Sequence, residues 1–79
     1  MSKQYFADID DIADNYVIPA LGEYADDFDC YSISYFVYSK REPDGLCVDT
    51  DEFGNVLTPD GKRVSFWDIA RRFALPFED

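Results

Sequence analysis

Along residues 8–29, apolar side chains recur at helical spacing: Ile9, Ile12, Ala13, Tyr16, Val17, Ala20 and Tyr24. At about 100° per residue they share one arc of roughly 140°, the pattern of an amphipathic helix. Asp10, Asp11 and Asp14 fall on the flank just beyond that arc. Docking the stripe on a core would hold these carboxylates at fixed positions, giving an ordered acidic face. Asp8 precedes the stripe as the expected N-cap, and acids in the first turn suit the positive end of the helix dipole. Pro19 interrupts the pattern, because it has no N–H and crowds the Asn15 carbonyl, at a cost of about 3 kcal/mol inside a helix. Gly22 loosens the same region. The segment is expected either to kink or to divide into a helix over 8–18 and another over 19–24, with Pro19 in the first turn of the second.

Residues 1–6 read as a short leader whose Tyr5 and Phe6 staple onto this helix. Residues 30–39, CYSISYFVYS, fit two patterns. Tyr31, Ile33, Tyr35 and Val37 alternate with serines as in a strand, whereas a helix here would be apolar nearly all round and need burial. Residues 40–45, KREPDG, read as a loop with a turn signal. Two short strands are expected at 46–48 and 55–58, joined by an acidic turn. Pro59-Asp60-Gly61 then turns the chain back into a partner strand at 62–64. Ser65 and Asp68 have capping-box spacing, and Phe66, Ile69, Ala70 and Phe73 recur at helical spacing beside Trp67. Arg71 and Arg72 lie near the favourable carboxyl end, and Pro76 is expected to end the helix. The expectation is one small α+β domain over 1–79: an acidic N-terminal helix, a second helix or strand, a short antiparallel hairpin or meander, and a C-terminal helix.

Composition sharpens this picture. Hydrophobic residues make up 47% and aromatics 18% of the 79, far from the depleted make-up of disordered acidic tails. Seventeen acidic against seven basic residues give a net charge of −10. The imbalance is local, since residues 1–29 hold eight acids and only Lys3 as a base. No basic stripe is present to displace counterions from phosphates, so direct nucleic-acid binding and anionic membranes are disfavoured. No apolar run approaches the roughly 20 residues that span a bilayer, and no signal-peptide pattern follows Met1. Cys30 and Cys47 read as reduced thiols. A soluble, cytoplasmic protein is expected.

The chain has no His and no Gly-rich phosphate loop, and no nucleophile with an identifiable base. A non-enzymatic role without a cofactor is therefore expected. Residues 49–54, DTDEFG, partly match a calcium loop. Phe53 stands at the fifth position and Asp60 at the twelfth, which favours an acidic hairpin turn over a metal site. Two thiols without His do not complete a zinc site within one chain. The aromatics Tyr31, Tyr35, Phe36 and Tyr38 read first as core and core edge, with an interface role as the alternative.

A charge of −10 exceeds what solubility asks of so small a domain and adds self-repulsion. It suits a basic partner, whose groove ordered carboxylates would occupy in place of phosphates. The stretch Ala20-Leu21-Gly22-Glu23-Tyr24-Ala25-Asp26-Asp27-Phe28-Asp29, with Phe66-Trp67-Asp68-Ile69-Ala70, resembles a pattern in small acidic proteins of phages and mobile elements. That resemblance implies a helix over 30–39. The acidic balance is similar in character to antirestriction and anti-CRISPR inhibitors that imitate DNA, and the resemblance transfers no functional residue. The expected function is inhibition or modulation of a basic nucleic-acid-binding protein, such as a defence nuclease complex. Asp10, Asp11, Asp14, Glu23, Asp26, Asp27 and Asp29 would form the contact. The alternative is an adaptor or regulatory subunit that uses exposed aromatics, as a homodimer or otherwise.

Overall fold

The computed structural model describes residues 2–75. Its sheet is organised around β3 (Gly45–Thr50). On one side β3 pairs antiparallel with β1 (Ser2–Phe6), from Ser2 opposite Thr50 to Phe6 opposite Leu46. The other side is shared. β2 (Lys40–Glu42) pairs with the first half of β3, Lys40 opposite Cys47, and β4 (Asn55–Leu57) joins at Thr50 opposite Val56. β5 (Arg63–Ser65) completes the sheet against β4, with Val56 opposite Val64.

Strand alternation divides β3 between two faces. Leu46 and Val48 enter the core, where they join Ile12, Val17, Ile33, Val37, Val56 and Ile69. Cys47 and Asp49 are buried on the other face. Arg63 reaches across to Asp49 there, bonding its carboxylate and its carbonyl, each at 3.3 Å.

The expected leader at 1–6 is instead strand β1, and the expected loop at 40–45 is a tight hairpin between β2 and β3. Both corrections have the same cause: pairing to β3 satisfies backbone groups that the local composition leaves undecided. β2 is all charged, as suits a short exposed strand. The turn at 59–61 falls where the pattern placed it, whereas the turn expected at 49–54 is confined to 51–54 because β3 runs on to Thr50 and pairs there with β1.

The N-terminal acidic helix begins with α1 (Ile9–Ile12), widens into a π-helical turn (Ala13–Val17), continues as α2 (Ile18–Leu21) and tightens into a 3-10 segment (Gly22–Asp27). In the wide turn the Ile18 N–H reaches five residues back to the Ala13 carbonyl, and Pro19 sits in the first turn of α2. The missing Pro19 N–H is thus accommodated by widening instead of by a break. The extra residue per turn also shifts the helix face. Ile9, Ile12, Ala13 and Val17 are buried as the stripe requires, but Leu21 takes the inner position, whereas Ala20 and Tyr24 are exposed.

Residues 30–39 resolve into helix α3 (Cys30–Ser34) followed by a turn. A strand would put Tyr31, Ile33, Tyr35 and Val37 on one face. Ile33 and Val37 are instead buried and Tyr31 and Tyr35 exposed, as positions two apart must be at about 100° per residue. α4 (Phe66–Arg71) closes the domain, burying Phe66, Ile69 and Ala70. Ser65, the last residue of β5, stands at its N-cap but makes no side-chain capping bond. α4 ends at Arg71, and Pro76 lies outside the described residues.

Candidate functional site: an acidic helical rim

The seven carboxylates expected to form a contact surface separate into two groups. Asp10, Asp14, Glu23 and Asp26 are exposed, whereas Asp11, Asp27 and Asp29 are half-buried. Asp11 is occupied in capping the helix. Its amide donates to the Asp8 carboxylate at 2.9 Å, while its own carboxylate accepts from the Ala7 amide at 2.9 Å and from the Asn15 side chain. This reciprocal arrangement is a capping box displaced by one residue at its return bond. It fixes the start of the helix that carries Asp10 and Asp14.

Asp29 caps α3. Its carboxylate accepts from the Ser32 amide at 3.2 Å and the Ser32 hydroxyl at 2.7 Å. Those bonds, the hydroxyl first, hold the Asp29 carboxyl below its usual range. Asp27 contributes its backbone: its carbonyl accepts from the Leu75 amide at 2.9 Å, beside an Asp29 N–H to Phe73 carbonyl bond of the same length. Residues 27–29 are thereby tied to the segment after α4.

Removing the cap gives a direct check. Asp29→Ala is expected to cost about 1 kcal/mol in urea unfolding near neutral pH. A carboxyl with a lowered folded-state pKa contributes stability above its unfolded value and loses it as pH falls through the folded one. The difference between wild type and variant should therefore shrink once pH drops below about 4. A gap that stays constant through that range would remove Asp29 as an ionised cap.

The rim carries little internal compensation. Among the described residues the ion pairs are Lys40–Glu42 at 3.0 Å, Arg63–Asp49 at 3.3 Å and Arg71–Asp68 at 3.5 Å, and none involves a carboxylate of residues 8–29. Burial, with the Asp29 charge as a second cause, pushes the Cys30 thiol up. Burial alone raises the Tyr16 phenol to about 12, where its ring packs between Phe6 and Phe66.

Aromatic residues border the rim. Tyr31 and Tyr35, one helical turn apart, meet edge to face with ring centroids 5.6 Å apart. The adjoining Tyr35 phenol and the nearby charge of Asp10 both raise the Tyr31 phenol. The acidic flank of α1 is therefore continuous with an aromatic flank of α3. Sequence reasoning placed these tyrosines at the core edge; their i, i+4 spacing marks a shared outer face once the segment is read as a helix.

The calcium-like stretch is committed elsewhere. The Asp49 carboxylate pairs with Arg63, and Asp51 accepts from the amides of Phe53 and Asn55. Among the described residues no group of three or more His, Cys, Asp or Glu gathers in a metal-holding arrangement. No helix there is long and apolar enough to cross a membrane. No protein-family model matches the chain, and no curated protein or solved structure matches it either.

Proposed function

We propose that this domain is a non-catalytic inhibitor or modulator of a basic nucleic-acid-binding protein, with a defence nuclease complex as the target class. The observation that carries the reading is the set of four exposed carboxylates, Asp10, Asp14, Glu23 and Asp26, on a capped helix with no ion-paired base among the described residues. Fixed, uncompensated anions do what phosphates do at a basic groove: they steer encounter and release counterions on contact. Pre-ordering by Asp8 and Asp11 limits the entropy lost on binding. The reading assigns no catalytic step and no cofactor.

A second reading draws on the aromatic flank. Tyr31 and Tyr35 are 48% and 44% exposed, and paired tyrosines suit the centre of an adaptor interface. Salt separates the two, because charge-driven affinity falls steeply with ionic strength and aromatic burial does not.

The test compares immobilised wild type with the variant Asp10→Asn, Asp14→Asn, Glu23→Gln, Asp26→Asn in host extract at low salt, with elution by graded salt and, separately, by duplex DNA. Asp11 and Asp29 are left intact because they hold the helices. A nucleic-acid-binding protein that duplex DNA displaces, that elutes at modest salt and that the variant fails to retain is the expected result. Partners held equally by both proteins at high salt would sink the charge reading and favour the tyrosine face.

A further inference from the structure

The hairpin region around β4 holds an apolar projection and an apolar hollow that a single copy leaves unmatched. The projection is Phe53, 80% exposed at the tip of the turn between β3 and β4. It is held firmly: one Asp51 carboxylate oxygen accepts from the Phe53 and Asn55 amides, each at 2.9 Å, and the Gly54 amide returns to the Asp51 carbonyl at 3.3 Å. Glu52, also exposed, stands beside it.

The hollow lies at the other end of β4 and encloses about 190 Å³. Its floor includes Phe36 and Phe73, stacked with centroids 5.3 Å apart, together with Ile69. Lys62 and Arg72 also line it. Neither forms an ion pair within the described residues. Asp60, the carboxylate of the lining, is engaged by the Thr58 hydroxyl. The turn that presents Lys62 is braced by the Thr58 amide on the Lys62 carbonyl at 2.8 Å.

We propose that these features are the two halves of a contact between copies of this chain: Phe53 of one copy fills the hollow of a second, and Glu52 meets Lys62 and Arg72. A preformed aromatic knob, an apolar floor and opposite charges at the edge supply both complementarity and register. Each copy carries both a projection and a hollow, so a reciprocal exchange lets each give and receive Phe53. The result is a closed, isologous dimer. The contact uses residues 36–73, outside the strongly acidic first 29 residues, which keeps self-repulsion low. It goes beyond the acidic-rim reading and stands or falls independently of it.

Sedimentation velocity over a concentration series at moderate salt tests this on wild type, Phe53→Ser, Arg72→Glu and the double variant Glu52→Arg, Arg72→Glu. Residues 52, 53 and 72 are all exposed, so each variant should keep the wild-type far-UV spectrum. The expected result is a wild-type dimer that each single substitution weakens by about tenfold or more and that the charge-swapped double variant restores. A wild type that stays monomeric throughout the series, or a dimer indifferent to Phe53→Ser, overturns the proposal.

Discussion

Replacing Gly45 by alanine is expected to destabilise the domain by about 3 kcal/mol or more, a large share of what so small a fold has to lose. Gly45 opens β3 at φ +140, a backbone region that residues with a Cβ rarely enter. A methyl placed there would stand 2.1 Å from the Phe6 carbonyl oxygen. That neighbour is backbone, so relief requires β1 to move away from β3. The move would disturb the register that brings Phe6 and Leu46 together in the core. Gly61 provides the control. It also has positive φ, at +87, but no atom lies within 4 Å of the added Cβ. Gly61→Ala should therefore show backbone strain alone, about 1 kcal/mol or somewhat more. Urea unfolding compares the two, and hydrogen exchange locates the damage, since amides of β1 should lose protection in the Gly45 variant. Equal losses for the two glycines would mean that β1 does not approach β3 as described.

Ile12→Ala should cost about 2–5 kcal/mol, the range for truncating a fully enclosed aliphatic side chain. Ile12 has no exposed surface and sits where the acidic helix meets α3 and the sheet. Its loss removes apolar contact from the element whose charge most opposes compaction, because the first 29 residues hold eight acids against one base. Added salt should recover part of the lost stability by screening that repulsion. Ile18, six residues on and 40% exposed, is the comparison. Ile18→Ala is expected to change stability by no more than about 0.5 kcal/mol. A similar cost at both positions would contradict the burial pattern across the π-helical turn. The Ile12 variant also bears on function, since carboxylates on a loosened helix no longer form a fixed array.

The local pattern carried far in this chain where the determining interactions are near in sequence. The apolar stripe from Ile9 to Val17, the Asp8 cap and the turns at 51–54 and 59–61 all follow from neighbours within a few residues. The stripe failed at Ala20 and Tyr24 because a constant 100° step takes no account of a wide turn, and Pro19 marks the place where one residue per turn was gained. The candidate site was legible as a concentration of charge but not as a surface. Asp10 and Asp11 are adjacent and chemically identical, yet one is exposed and the other is bound to the Ala7 amide.

By itself the sequence determined the α+β class, the positions of the acidic and C-terminal helices, the hairpin turns and the excess of negative charge in the first 29 residues, because periodicity, capping chemistry and composition are properties of short stretches. Only the tertiary structure decided that 2–6 and 40–42 are strands, that 30–34 is helical, which carboxylates face outward, and that Tyr31 borders Asp10. Strand β1 and the meeting of Tyr31 with Asp10 depend on partners distant in the chain. β1 finds its hydrogen bonds on β3, forty or more residues away, and no local preference of five residues encodes that pairing.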